Sequence, residues 1–174
     1  MSATEVKELG CGRLEAAWEV LKQIPDPEVP VISLFELGIV RDLRETAAGL
    51  QVVLTPTYSG CPATELIQDD VRAALARFGE VEVILQRAPA WTTDWISEAG
   101  RAKLLAYGIA PPGRVLSDQP QPIRLVHRAA LTQLACPRCG SAQTEKLSAF
   151  GSTACKALYR CLSCREPFEY FKPI

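Results

Sequence analysis

Cys136-Pro137-Arg138-Cys139 and Cys161-Leu162-Ser163-Cys164 are two CxxC pairs with 21 residues between them. That spacing is close to the zinc-ribbon arrangement, in which each pair sits on a tight turn and the two turns close a tetrahedral site. Gly140 permits the left-handed backbone such a turn often needs. With all four positions filled by protein thiolates no place is open for a substrate, so the expected metal is a structural Zn²⁺. A rubredoxin-like iron site is the alternative that metal analysis would separate. Three cysteines remain. Cys155 lies six residues before Cys161, too far for a CxxC turn, and is either a core thiol or a second reactive thiol facing Cys61. Cys11 reads as incidental. Cys61 joins an apolar, β-branched run, Leu50–Leu54, to a segment in which Ala63, Leu66, Ile67, Val71, Ala74, Leu75 and Phe78 recur at helical intervals. Pro62 suits the first helical position, which puts Cys61 at about the N-cap, where free N–H groups and the helix dipole favour an anion. The spacing therefore predicts a lowered thiol pKa, useful to a nucleophile or a metal ligand, unless Cys61 is a buried structural cysteine.

The elements that would position these thiols follow from the same periodicities. Leu14, Ala17, Trp18, Leu21 and Ile24 predict a first helix over 13–24, stopped by Pro25. Pro25, Pro27 and Pro30 then stiffen an extended turn that holds Asp26 and Glu28 in a rigid loop. Ser33–Leu37 predicts one helical turn ended by Gly38. Residues 39–44 and 50–54 predict a hairpin, and 81–85 a third strand parallel to the second, because a strand–helix–strand succession normally crosses over. Trp91 and Trp95 read as lids on the core, and Ser97 as the cap of a last helix. The expected fold class is α/β (α+β): a small mixed β-sheet covered by helices, plus a C-terminal zinc-ribbon-like β module. Pro111, Pro112, Pro120 and Pro122 mark a linker, giving a first domain over 1–109, a Pro-rich linker over 110–124 and a four-cysteine ribbon over 125–174.

Composition narrows the function classes. The 174 residues, 48% hydrophobic, suffice for one ordinary core and a small appendage. No apolar run approaches the roughly 18–20 residues that span a bilayer, and the start lacks the pattern of a secretory signal, so a cytoplasmic protein without membrane contact is expected. In that setting the cysteines read as metal ligands or reactive thiols and not as disulfides. Residues 1–110 carry 10 Lys/Arg against 16 Asp/Glu, whereas 111–174 carry 9 against 4. Four thiolates around Zn²⁺ leave a charge of −2 that nearby cations offset, so the basic half does not by itself call for nucleic acid. A thiol-dependent enzyme is disfavoured because His127 is the only imidazole. A phosphate-binding glycine loop and an HExxH motif are also missing from the sequence.

DPEVPVISLFELGIV (26–40), TPTYSGCP (55–62) and WTTDWISEAGRAKLLAYGIAPP (91–112) resemble the SufT-like domain of iron–sulfur assembly factors. FGSTACKALYRCLSCREPFEYFK (150–172) narrows the resemblance to the PaaD family, the D component of the bacterial phenylacetyl-CoA epoxidase system. Pro173 departs from the pattern, which often has a cysteine there. The resemblance implies an accessory role in maturing the epoxidase, with no catalytic residues of its own. Its partners would be the epoxidase components, either the di-iron oxygenase or the iron–sulfur flavin reductase, together with iron–sulfur carrier proteins. The family singles out Asp26, Glu28 and Cys61, which would hold iron or an iron–sulfur cluster in passing. A purely structural or adaptor protein of the oxygenase complex is the competing expectation.

Overall fold

The computed structural model describes residues 3–113 and 134–174, with side chains from Gly12 onward. His127 and the linker residues 114–124 lie outside the described positions, as does the side chain of Cys11. Two compact units divide between Gly100 and Arg101.

In the first unit, helix α1 runs over Ala3–Leu21, three residues short of the expected end. The cause is Pro25, which disfavours helical geometry in the residue before it. The chain tightens into two three-residue turns, Gln23 N–H to Val20 O and Ile24 N–H to Leu21 O, before Pro25 pairs with Ser33 in an isolated antiparallel bridge. Ser33 and Glu36 form a reciprocal capping box. The Ser33 N–H donates to Glu36 Oε2 at 3.0 Å, and the Glu36 N–H donates to Ser33 Oγ at 3.1 Å. The single turn they start ends at Gly38, whose φ is +78° and where a Cβ would stand 2.7 Å from Trp95 Cβ.

Strands β1 (Val40–Glu45) and β2 (Gly49–Leu54) form the expected hairpin, with an irregularity between Val40 and Asp42. Helix α2 (Thr64–Leu75) and a 3₁₀ turn over Ala76–Phe78 lead to β3 (Glu80–Leu85), which pairs with β2 in parallel. The sheet order is β1-β2-β3, with α1 packed on α2 and β1, and α2 packed on β3. Leu21, Leu50, Val52, Leu54, Val71 and Leu75 are all at most 1% exposed. Their helical and strand spacings are the ones read from the sequence. Trp91 closes this core, donating its indole N–H to Leu37 O at 3.0 Å. Trp95 lies under the Arg41 guanidinium, 3.5 Å from its ring centroid. Ser97 Oγ accepts the Gly100 N–H at 3.0 Å and so caps helix α3 (Glu98–Tyr107).

The second unit begins within α3 and holds a four-stranded sheet: β4 (Ile109–Ala110), β5 (Thr144–Ser148), β6 (Lys156–Cys161) and β7 (Pro167–Phe171), in the order β4-β7-β6-β5. Ile109 and Ala110 pair in parallel with Glu169 and Tyr170, so residues at the expected domain–linker junction are part of this sheet. Pro111 and Pro112 end that strand after two residues because they supply no N–H. Between β5 and β6 the loop is organised by Glu169. Its Oε1 accepts the Ser152 N–H at 2.5 Å and its Oε2 pairs with the buried Lys156 Nζ at 2.9 Å. Gly151 permits this approach, since a Cβ there would meet Glu169 Oε1 at 2.5 Å. Among the described residues no helix is long and apolar enough to cross a membrane.

Candidate functional site

The ribbon cysteines converge as their spacing predicts. Cys136 and Cys139 sit on the turn before β5, closed by Gly140 N–H to Cys136 O at 2.8 Å and Cys136 N–H to Ser141 O at 2.9 Å. Cys161 ends β6 and Cys164 lies on the turn into β7, closed by Cys161 N–H to Glu166 O at 3.0 Å. The two turns repeat one backbone device: Gly140 (φ +75°) and Arg165 (φ +67°) each follow the second cysteine of a pair in the left-handed region. Their tips meet through Ser141 Oγ and Ser163 Oγ, 2.7 Å apart.

The four sulfurs lie within 4.8 Å of one another, with Cys136–Cys164 at 3.8 Å and Cys139–Cys161 at 3.6 Å. Tetrahedral Zn–S bonds of about 2.3 Å require sulfur separations of about 3.8 Å, so these residues fit the ion. They are a metal site. Cys136 and Cys161 are buried against Ala110 and Phe168, with Tyr159 and Tyr170 packed alongside. Cys155 is outside the set, 5% exposed, with its sulfur 3.0 Å from Thr153 Oγ1.

Cys61 departs from its expected position. Helix α2 starts at Thr64 with Ala63 at the N-cap, so the thiol stands two residues ahead of the cap. The Thr64 N–H (3.2 Å) and hydroxyl (2.8 Å) donate to the Cys61 carbonyl. The predicted lowering of the thiol pKa is reversed. Burial pushes it up, the Ala63 N–H and Thr64 hydroxyl offset only part of this, and the negative charges of Glu28 and Asp26 raise it further. The proline loop thus brings both acids within electrostatic reach of the half-buried sulfur. A cation arriving there would meet carboxylates of opposite charge, and its own field would favour loss of the thiol proton that burial and the acids otherwise retain.

Asp26 is buried, and its Oδ1 accepts the N–H groups of Glu28 and Val29. Glu28 is half-buried. Thr55 stands where β2 gives way to the Cys61 loop. Its hydroxyl is buried with no hydrogen-bond partner among the described residues. A threonine in that position carries no sequence signal of such a state.

A mixed sheet with a half-buried thiol beside two loop acids, joined in one chain to a four-cysteine ribbon, defines a two-module metal-binding protein. Residues 14–84 match the family described as iron–sulfur cluster assembly protein, and residues 121–172 match the PaaD zinc beta ribbon domain. The chain is 48% identical over 159 residues to an Escherichia coli (strain K12) protein provisionally named as the D component of 1,2-phenylacetyl-CoA epoxidase, covering 90% of this chain and 91% of that one. It belongs to the PaaD family. The Fe-S protein maturation auxiliary factor YitW of Bacillus subtilis (strain 168) is 38% identical over 88 residues, 48% of this chain and 85% of that protein. A crystal structure of a domain of unknown function (DUF59) from Bacillus anthracis shares the fold of the first unit. Its TM-score is 0.52 at 23% identity, over 56% of this chain and 96% of that one. The family is thus of the iron–sulfur maturation-factor type.

Proposed function

We propose that this protein is a non-catalytic maturation factor of the phenylacetyl-CoA epoxidase system in aerobic phenylacetate degradation, acting in the cytoplasm. It assists insertion of iron or an iron–sulfur cluster into a client, the di-iron oxygenase or the iron–sulfur flavin reductase, with iron–sulfur carrier proteins as donors. Cys61 and the loop that carries Asp26 and Glu28 form the cargo site, and Cys136, Cys139, Cys161 and Cys164 hold a structural Zn²⁺. Cys155 is a packing thiol of the ribbon.

The observation that carries this reading is electrostatic: Glu28 and Asp26 both act on the Cys61 thiol across a loop. One sulfur and the acid side of one short loop are too few to saturate iron, so positions stay open for the client's ligands and the cargo leaves by exchange. Loading deprotonates Cys61, since the thiolate and not the thiol is the ligand.

Anaerobic reconstitution with iron and sulfide tests it. Wild type is expected to take up labile iron beyond the ribbon metal, and Cys61→Ser to take up none while retaining its zinc. Equal uptake by both proteins would end the reading.

A further inference from the structure

Asp26 and Glu28 are neighbours in sequence with different surroundings. Asp26 is 6% exposed, and its Oδ1 accepts the Glu28 N–H at 3.0 Å and the Val29 N–H at 2.8 Å. Both lone pairs of that oxygen are engaged. Pro27 and Pro30 have no N–H, so the two donors available between them converge on one atom. The Asp26 N–H itself donates to Ile32 O at 2.9 Å, and the Ile32 N–H donates to Val29 O at 3.1 Å. The Pro25–Ser33 bridge closes the mouth of the loop, while Val29 and Ile32 bury its apolar side. A carboxylate oxygen at the centre therefore replaces the backbone ladder that the prolines forbid. Glu28 has its peptide fixed by this arrangement, remains half-buried, and acts on the Cys61 thiol more strongly than Asp26 does.

Resting on the reading of the Cys61 site given above, we infer that Asp26 is a positioning residue that fixes the Glu28 peptide and does not itself touch ferrous cargo. The two acids are then not interchangeable. An amide oxygen at position 26 can accept the same two N–H groups, so Asp26→Asn preserves the loop. An amide at position 28 leaves the loop intact and removes the charge that attracts the cation.

The test uses the full-length, zinc-loaded protein under anaerobic conditions, with ferrous ion as the probe, titrated against a chromophoric chelator. Amide hydrogen exchange at Glu28 and Val29 is followed in parallel. Asp26→Asn is expected to keep both ferrous affinity and protection. Asp26→Ala is expected to lose protection at both amides and about tenfold in affinity, the scale on which partners of metal ligands act. Glu28→Gln is expected to keep protection and lose about tenfold or more in affinity. Loss of affinity in Asp26→Asn with protection intact would make Asp26 a direct ligand and overturn the assignment, as would unaltered affinity in Glu28→Gln. If the wild type binds no ferrous ion, the maturation reading of the site falls. The exchange data still decide the role of Asp26: protection kept in Asn and lost in Ala upholds it, and protection kept in both overturns it.

Discussion

Cys161 and Cys61 carry the same side chain into opposite surroundings. Cys161 is fully buried at the end of β6, where the Cys164 N–H, 3.5 Å from its sulfur, and the Ser163 N–H bring its pKa down to about 6 despite burial. Three further sulfurs complete its set. Burial raises the Cys61 thiol, the Ala63 N–H and Thr64 hydroxyl offset only part of this, and two negative neighbours push it further above the ordinary 9.0. The difference teaches that the groups around a sulfur decide whether a metal stays. A closed set of four fixes an ion for the life of the fold. A single thiol with loop acids would leave any cation it met open to exchange.

The contrast predicts that ribbon cysteines govern stability and Cys61 does not. The largest effect is expected from removing the ribbon metal, or from Cys161→Ser, because structural zinc contributes on the order of 10 kcal/mol to small modules. Amide resonances of 134–174 should collapse while those of the first unit persist. Well-dispersed ribbon signals after metal removal would contradict this.

A smaller loss is expected from Lys156→Met, which leaves Glu169 without its cation. Breaking a buried pair costs about 3–5 kcal/mol, and Glu169 is 23% exposed, so about 2 kcal/mol is expected from denaturant unfolding of the zinc-loaded protein. The pair also has a pH signature. Burial alone would raise the Glu169 pKa, but the Ser152 N–H and Lys156 hold it below the ordinary 4.5. Its stabilisation is therefore full above that value and disappears as pH falls through the lowered one. Glu169→Gln should remove this part of the acid dependence, and an unchanged profile would mean that the pair contributes nothing.

Cys61→Ser should alter stability by about 0.5 kcal/mol or less, the range of substitutions that create no cavity and orphan no charge, yet abolish client maturation in cells. A fully active serine variant would erase the contrast. The smallest effect concerns titration: alkylation of Cys61 should reach half its limiting rate above pH 9.0, and Glu28→Gln should move that midpoint down.

The convergence of the four ribbon cysteines was legible because both CxxC pairs are local and each turn needs only its own residues. The hairpin, the α2 spacing and the Ser97 cap were legible for the same reason. The error at Cys61 has a nonlocal cause. Pro62 marks a helix start within one or two residues, but an extra turn through Pro62 and Ala63 separates the thiol from the cap, its burial is set by the tertiary fold, and the acids that add to the upward shift come from a loop more than thirty residues earlier. Strand β4 escaped notice because Ile109-Ala110 is two residues long and its partner, Glu169-Tyr170, lies at the other end of the unit. Strand β5, with alternating charge and only Leu147 apolar, gives no two-residue period to read.

The position of Cys61 between burial and two acids also bears on oxygen tolerance. Peroxide attacks thiolates, and the first product, a sulfenic acid, leads on to irreversible acids. At neutral pH this sulfur is almost wholly protonated, since its pKa lies above the ordinary 9.0. It is therefore a slow target before cargo arrives, and it takes on thiolate character only with a cation in place. A thiol held in this state stays reduced in the presence of oxygen, which its thiolate would not.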